Sequence, residues 1–517
     1  MAVVRSVARV ALPRRAGQLR SSVREPPHSH LVGAARAAQM APAMAARAAI
    51  ARRGGAAGAA REQAAAASAD AAEPWDEEQA AAAEQPDVTG RASRADLVSA
   101  IVFIAGTTIG GGALALPASA APAGVVPSIT ALVLVWLWMT VQAILLVEVT
   151  VRMKQEESGA GDKGNDGADA VVSFERMAER TIGRVGGQAT GMVYQIYSYL
   201  SLLAYVAVVG DVIAQLSGGL LASEMGQALA VFGIWGVILG FGKRGVMAVN
   251  EKLNYVFLFA LAGILAAGLF SFDLGVLGHA AWSKAPAAAG IILFNVVYHD
   301  VIPVICDNLK YDVKAIKTAL VLGGGIPLLA YVGWIAAVLS AAGGAMAAGV
   351  DPVQVLMAGG DATGTVLQWW GLLAIITSFI GFTIAQAEYE ADLFAQWTAP
   401  LWAKAAAASD RALLSAQRVW DKYGREQLAY ASVLLPPLAV SLALPGLFVV
   451  AADLAGVYGV ALLYGVLPPV MTFVLRRDQQ RPSLDAVPGG NATLAALLLA
   501  GLGLMADASI KYLKMLL

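Results

Sequence analysis

The first long apolar run of the chain reads IVFIAGTTIGGGALALP from Ile101 to Pro117. Four of these residues are glycines, Gly106 and the three from Gly110 to Gly112. Each weakens a helix by about 1 kcal/mol relative to alanine. Non-helical backbone at the centre of a bilayer is tolerated only where it is buried in protein or lines a wet cavity. This stretch therefore predicts a membrane helix that is interrupted near its middle. The alternative is an unbroken helix in which Gly106 and Gly110 form a close packing seam.

A second apolar run combines polar side chains with a proline and reads LFNVVYHDVIP from Leu293 to Pro303. Pro303 has no backbone N–H to donate, so it frees the carbonyl one turn earlier, near His299. Asn295, His299 and Asp300 are costly in hydrocarbon unless they face a cavity or a partner. The run predicts a second interrupted helix. The alternatives are an ordinary proline kink and a histidine that is satisfied inside the protein.

Composition places these two runs in a membrane domain. Of the 517 residues, 58% are hydrophobic and 14% are charged, whereas a soluble domain carries about 25% charged residues. Crossing a bilayer takes about 20 apolar residues in a helix, and eleven runs qualify. We therefore predict an all-α polytopic membrane protein with about eleven transmembrane helices. The runs lie near 96–121, 124–150, 189–217, 226–241, 253–272, 287–309, 315–341, 366–390, 428–444, 447–475 and 491–515.

The loops between these runs differ in charge. The five loops on the side of the N-terminus hold 20 Lys and Arg residues, whereas the five on the other side hold only Lys284. Positive loops stay on the side from which a membrane protein is inserted. The asymmetry supports the count of eleven and predicts an N-terminus on the inner side.

The two interrupted helices open two sets of five. Because five is odd, the second set must run upside down relative to the first, and inverted repeats that each contain broken helices are a known transporter design. We predict repeat one over 95–272, repeat two over 287–475 and an extra helix over 491–515. At the breaks, half-helix N-termini attract a carboxylate and unwound carbonyls attract an ammonium group, a combination that suits an amino acid.

Several other functions are not indicated by the sequence. The net charge of −1 provides no basic field for nucleic acid, and the single cysteine, Cys306, excludes an intrachain disulfide. No phosphate-binding loop, zinc spacing or nucleophile elbow occurs. We therefore expect no enzyme, cofactor, metal or nucleic-acid partner, and the lipid bilayer is the expected surroundings.

The N-terminal tail differs from the rest. Residues 1–61 contain eleven arginines and one acidic residue, Glu25, which is typical of an organelle transit peptide. Residues 62–94 begin with an acidic, alanine-rich stretch that predicts a disordered linker. The membrane domain would then cover 95–517, in the chloroplast inner envelope or the mitochondrial inner membrane, with its N-terminus in the stroma or matrix. The alternative is an alanine-rich disordered tail with no targeting role.

The stretch GTTIGGGALALP over 106–117 resembles the signature of the tryptophan/tyrosine permeases. These are hydroxy and aromatic amino acid permeases of the amino acid–polyamine–organocation superfamily, and the pattern is similar to their plant and algal organelle type. The resemblance implies eleven spans, the inverted repeat and proton-driven uptake of aromatic amino acids. Gly111 and Ala113 stand where bacterial members commonly have Ala and Met, so the aromatic preference stays open. Further matches lie at 298–306, 314–320, 325–328, 351–352, 465–469 and 487–491.

The predicted substrate site consists of the two breaks and one face of the third span. The amides around 108–112 are expected to bind the carboxylate, and carbonyls near Ile104, Ala105 and Phe294 are expected to bind the ammonium group. Two tyrosines of the third span would shape the side-chain pocket, unless they only pack. The predicted site residues are Ala105, Gly106, Thr107, Thr108, Ile109, Gly110, Gly111, Gly112, Phe294, Asn295, Tyr298, His299, Tyr194 and Tyr197.

Two ions are candidates for coupling. In sodium-dependent relatives of this fold, a hydroxyl pair on the eighth helix helps to hold the ion, and Thr377 and Ser378 match that pair, although they can also bond back to their own helix. A proton needs a titratable group, for which His299 is the first candidate and Asp300 the next. We predict a secondary carrier of amino acids. The alternatives are a receptor or scaffold that lost transport and a sodium-coupled carrier of other neutral amino acids.

Overall fold

The described part of the structure, a computed structural model, covers residues 90–159, 173–343, 351–360, 362–477 and 486–516. Within these residues all regular structure is helical. The helices are α1 (Arg94–Thr108), α2 (Ala115–Ala120), α3 (Val125–Gly159), α4 (Phe174–Leu216), α5 (Ser223–Phe270), α6 (Ala289–Val296), α7 (Ile302–Asn308), α8 (Val313–Ala342), α9 (Pro352–Ala358), α10 (Ala362–Ala407), α11 (Arg411–Val419), α12 (Arg425–Ala443), α13 (Phe448–Leu454), α14 (Leu467–Arg476) and α15 (Gly490–Leu516). Short 3₁₀ segments lie at Gly111–Leu114, Leu274–Gly278, Trp282–Ala288 and His299–Val301, and π-helical segments at Trp420–Gly424 and Ala455–Val466.

The predicted class, an all-α polytopic membrane protein, is confirmed. In the described residues, eight helices are long and apolar enough to cross a membrane, or nine if one bent pair counts as a single span. The exact number of eleven stays a prediction. Two predicted spans lie in α5, which is interrupted by Gly242 at φ 69° and ψ 157°. The predicted ninth span is α12, which contains Pro436 and is not among the eight.

The first predicted interruption is present. Helix α1 ends at Thr108, Ile109 and Gly110 are extended, and a 3₁₀ turn then leads into α2. The two halves are bent by 50° relative to each other. The alternative of an unbroken helix with a glycine seam is therefore excluded.

The second interruption is also present, but its details differ from an ordinary kink. Helix α6 ends at Val296, Val297 is extended, and Tyr298 leads into a 3₁₀ turn. Pro303 lies in the first turn of α7, where a missing N–H costs nothing because that amide has no helical acceptor. The proline thus helps to start a second half-helix.

Helix packing brings the interruptions together around α8 and α10. The first half-helix, α1, packs on α8, and the 3₁₀ turn after it packs on α10. Helix α4 packs on α5, which follows it in the chain, and helix α10 packs on α12, the next long helix in the chain. Helices α4 and α10 also pack on each other, and α10 packs on α5. This pattern of partners favours the inverted repeat, which stays a prediction.

Candidate substrate site

A cavity of about 380 Å³ lies between the two interruptions, within the size range of small-molecule sites. Both breaks contribute to its wall, together with α4, α5 and α10. Of the sequence-predicted site residues, the structure places twelve in the cavity lining. They are Gly106, Thr107, Thr108, Ile109, Gly110, Gly112, Tyr197, Phe294, Asn295, Asp300, Thr377 and Ser378.

The remaining predicted residues lie outside that lining. Ala105 offers its carbonyl to the Ile109 amide at 3.3 Å, and Gly111 donates its amide to Ser378 Oγ at 3.0 Å. Tyr194 contacts the ring of Tyr197, with centroids 6.2 Å apart. These three residues therefore support the wall from behind.

His299 and Tyr298 are also behind the wall. His299 is fully buried, and its Nε2 donates to the carbonyl of Met139 at 2.9 Å, since a carbonyl can only accept. Its ring lies 5.1 Å from that of Tyr298 and 5.2 Å from that of Tyr464. The structure thus places the first-named proton candidate against α3, away from the cavity, and its role in coupling stays a prediction.

The ends of both half-helices meet at one tyrosine of α8. The Tyr331 hydroxyl lies 2.9 Å from the carbonyl oxygen of Thr108 and 3.2 Å from that of Asn295. Both carbonyls lie in the last turn of a helix, where no helical N–H is left to bond them. This buried hydroxyl has one hydrogen and lies within hydrogen-bond distance of both carbonyls, so Tyr331 connects the C-termini of α1 and α6.

Replacing Tyr331 by phenylalanine is expected to weaken both substrate binding and folding. The change removes the one hydroxyl hydrogen that these two buried carbonyls share, and an unsatisfied buried group costs about 1–3 kcal/mol. We expect a lower melting temperature in detergent and an increase in the substrate Kd. The matched control is Tyr458→Phe, whose hydroxyl pairs with Ser509 Oγ at 2.8 Å in an exposed position. Equal melting temperatures for the two variants would contradict the bridging role.

Aromatic side chains form one end of the cavity. Tyr205 on α4 contacts Phe294 at 6.2 Å and Phe382 at 5.6 Å between ring centroids, and Phe382 also contacts Tyr197 at 6.1 Å. All four residues line the cavity. Offset and edge-on rings at these separations attract another aromatic ring. This end of the cavity is therefore suited to a flat, apolar side chain.

Two asparagines of α5 occupy the junction between α1 and α10. Asn254 Nδ2 donates to the Gly106 carbonyl at 3.4 Å, and Asn250 Nδ2 donates to the Thr377 carbonyl at 3.1 Å. The Thr377 hydroxyl bonds back to its own helix, at Leu373 and Ala374. Amide donors thus bind oxygen atoms at the place where the sequence suggested a sodium ion.

Sequence reasoning missed part of this site. Tyr205 lies eight residues after Tyr197, and Phe382 lies four residues after Ser378, so helical spacing alone places each pair on a shared face. Asn250 and Asn254 are likewise four residues apart on one helix. These spacings could have predicted that Tyr205, Phe382 and the two asparagines belong to the site. The missed lining residues are Ser99, Val102, Phe103, Tyr205, Met247, Asn250, Glu251, Asn254, Tyr255, Leu258, Val297, Gly381 and Phe382.

A ligand-sized cavity between two interrupted helices defines a polytopic membrane protein with a central binding site, the class to which secondary carriers belong. The model of the tryptophan/tyrosine permease family matches residues 93–506. The chain belongs to that family, as the signature at 106–117 indicated. Since the family consists of permeases, the prediction that the chain is not an enzyme is confirmed.

Two sequence relatives agree with this assignment. The chain is 26% identical over 423 residues to the tyrosine-specific transport system 1 of Haemophilus influenzae, with 78% of this chain and 94% of that protein covered. It is 22% identical over 436 residues to the tryptophan-specific transport protein of the same organism, with 78% and 94% covered. The solved structure of MhsT in complex with L-phenylalanine aligns with a TM-score of 0.47 at 14% identity, over 82% of this chain and 99% of that chain.

Proposed function

We propose that this chain is a secondary active transporter that carries aromatic amino acids, tyrosine or tryptophan, together with protons. The observation that carries this proposal is the cavity in which the two interrupted helices face each other beside four aromatic rings. The amide of Gly112, a residue of the cavity lining, would contribute to carboxylate binding, and Asn295 would contribute to ammonium binding. The rings would take the side chain.

The choice of protons over sodium rests on the junction between α1 and α10. A sodium ion is bound by several oxygen atoms, and here the carbonyls of Gly106 and Thr377 already accept amide hydrogens from Asn254 and Asn250. A cation at this position would have to displace those donors. This arrangement favours transport that does not depend on sodium.

The proposed location rests on the composition of the N-terminal tail. We propose that residues 1–61 direct the protein to the chloroplast inner envelope, with the mitochondrial inner membrane as the alternative, and that the N-terminus faces the stroma or matrix. The transit segment and most of the acidic linker over 62–94 lie outside the described residues. We retain the proposed division of the membrane domain into repeat one over 95–272, repeat two over 287–475 and an extra helix over 491–515.

An uptake screen tests the proposal. The purified protein is reconstituted into liposomes, and uptake of each of the twenty amino acids is measured with a pH gradient, with a sodium gradient and with neither. We expect accumulation of tyrosine or tryptophan under the pH gradient alone. Saturable binding without uptake under any gradient would favour a receptor, and accumulation of other neutral amino acids under sodium would favour the sodium-coupled alternative.

Phe382→Leu tests the aromatic end of the cavity. An aromatic pair contributes about 0.5–1.5 kcal/mol beyond its buried area, so we expect the KM for an aromatic substrate to rise about twofold to tenfold. The control is Phe259→Leu, because Phe259 on α5 is 84% exposed and lies outside the cavity. An unchanged KM in Phe382→Leu would argue against the rings as the side-chain pocket.

A further inference from the structure

Helix α10 carries a buried carboxyl group that forms no ion pair with a charged side chain of the described residues. The Glu390 residue is only 6% exposed, and Glu390 Oε1 lies 3.0 Å from Gln195 Nε2 and 3.0 Å from the Tyr199 hydroxyl, both on α4. Gln386 donates from its side-chain amide to Gln195 Oε1, which extends the network along α10. Both direct partners of Glu390 are uncharged, although a buried carboxylate is normally paired with a cation.

A carbonyl group on α12 competes for the same tyrosine hydroxyl. Tyr199 lies 2.9 Å from the carbonyl oxygen of Ser432. Pro436 stands four residues after Ser432 and has no N–H, so the helix supplies no i→i−4 donor to that carbonyl. The Tyr199 hydrogen is therefore the donor that satisfies Ser432.

The single hydroxyl hydrogen of Tyr199 links the protonation of Glu390 to the hydrogen bond at Ser432. A tyrosine hydroxyl has one hydrogen to donate and can also accept. If that hydrogen is donated to Ser432, the short contact between Tyr199 and Glu390 is a full hydrogen bond only when Glu390 carries a proton and donates it. If Glu390 is ionised, Tyr199 must turn its hydrogen to the carboxylate, and the Ser432 carbonyl on α12 loses its donor.

We propose that Glu390 is the carboxyl group that binds and releases the coupling proton, with Tyr199 as the switch to α12. A proton from one side adds to the ionised carboxylate and forms an O–H bond; loss of that proton to the other side restores the charge. Protonation removes one buried negative charge and returns the Tyr199 hydrogen to Ser432. This inference rests on the proposed function and names the site of its proton coupling.

The network connects to the cavity through side-chain rings. Tyr389, next to Glu390, contacts Tyr194 at 6.1 Å between centroids, and Tyr194 contacts Tyr197, which lines the cavity. Along α10, Glu390 lies eight residues after the cavity residue Phe382, a distance of about 12 Å at 1.5 Å per residue. The same helices, α4 and α10, thus hold both the proton site and one wall of the cavity.

Other charged groups near this network already have partners. Lys243 on α5 pairs with Glu388 at 2.8 Å, and Asp392 interacts with Arg425 and with the same lysine. The ion pairs of the described residues do not include Glu390. The titratable or charged groups on the elements packed around it include Glu175, Tyr194 and Tyr199 on α4, Lys243 on α5, Glu388, Tyr389 and Asp392 on α10, and Arg425, Glu426 and Tyr430 on α12.

Glu390→Gln tests the proposal, because glutamine keeps the size and the donor to Tyr199 but cannot release a proton. In liposomes, one proton per neutral substrate at a gradient of one pH unit sustains about tenfold accumulation in the wild type, since 1.4 kcal/mol corresponds to a factor of ten. We expect Glu390→Gln to reach only equal concentrations on both sides. Exchange of labelled for unlabelled substrate at equal pH should continue at a rate close to that of the wild type.

The matched control is Glu388→Gln, two residues away on the same helix, which should still accumulate substrate. Accumulation of substrate by Glu390→Gln under a pH gradient would overturn the proposal. If His299→Asn loses coupling instead, the coupling group would be His299, as the sequence predicted. Absence of uptake and exchange in the wild type would contradict the proposed transport function itself, which is a separate outcome.

A second measurement covers the case in which Glu390→Gln does not fold. Infrared difference spectra of the wild type between acid and alkaline pH should contain the C=O band of a protonated carboxylic acid. Tyr199→Phe should shift that band, because it removes a hydrogen-bond partner of Glu390. A spectrum with no such band, or with a band that Tyr199→Phe leaves unmoved, would overturn the proposal.

Discussion

Gly456→Ala is expected to prevent normal packing of the membrane domain. A Cβ atom at Gly456, in the π-helical segment Ala455–Val466, would lie 1.8 Å from the carbonyl oxygen of Gly290 and 2.6 Å from its carbonyl carbon. Both are backbone atoms of α6, so no side-chain rotation relieves the clash. Overpacking typically lowers the free energy of unfolding by about 1–3 kcal/mol and occasionally more. For Gly456→Ala we expect a loss of about 3 kcal/mol or more.

The function should suffer with the fold, because α6 is the half-helix that ends at the second break. The measurement is the melting temperature of the detergent-solubilised protein, together with its yield as a monodisperse species. Gly503→Ala on α15 is the matched control, since a Cβ there meets nothing within 4 Å and alanine favours a helix by about 1 kcal/mol. Equal melting temperatures for both variants would disprove the close contact of the two backbones.

Glu148→Ala is expected to cause the second large loss of stability. The Glu148 side chain is fully buried and accepts two hydrogen bonds from Arg476, from Nε and from Nη2, each at 2.8 Å. It also accepts from the amide of Ala486 at 3.0 Å, and so connects α3 to α14 and to the segment before α15. Removing the carboxylate breaks this buried ion pair and takes the acceptor away from Arg476 Nε, from Arg476 Nη2 and from the Ala486 amide, which costs about 3–5 kcal/mol.

An exposed ion pair offers the comparison. Glu156 pairs with Arg180 at 3.0 Å, with side chains that are 18% and 56% exposed, and surface pairs of this kind contribute about 0–1 kcal/mol. Unfolding in denaturant or by heat should therefore separate Glu148→Ala clearly from Glu156→Ala. Similar losses in the two variants would mean that Arg476 finds another partner or water when Glu148 is gone.

The two breaks were predictable because their causes are local. The glycines from Gly106 to Gly112 weaken a helix wherever it packs, and Pro303 removes an N–H in any surroundings. The structure accordingly interrupts the first helix at Ile109 and Gly110 and places Pro303 in the first turn of a new helix that begins at Ile302. The exact residues of the second break, Val297 and Tyr298, depend on the contacts around them.

Which residues face the cavity was harder to predict. Tyr197 and Tyr194 are three residues apart on α4, yet only Tyr197 lines the cavity. His299 and Asp300 are adjacent at the second break, but Asp300 faces the cavity whereas His299 packs against Met139. Which residue of each pair faces the cavity depends on how the neighbouring helices pack, so spacing along the sequence does not decide it.

The sequence by itself determined that this chain is a helical membrane protein with two interrupted helices, and its signature at 106–117 identified the family. Hydrophobic length, charge asymmetry and helix-breaking residues act within a few turns of the chain, which is why they can be read along it. Only the tertiary structure decided that Tyr331 bridges both breaks, that Tyr205 and Phe382 close the cavity, and that Glu390 meets Tyr199. These contacts join residues that are far apart in sequence, and they depend on how the helices pack against one another.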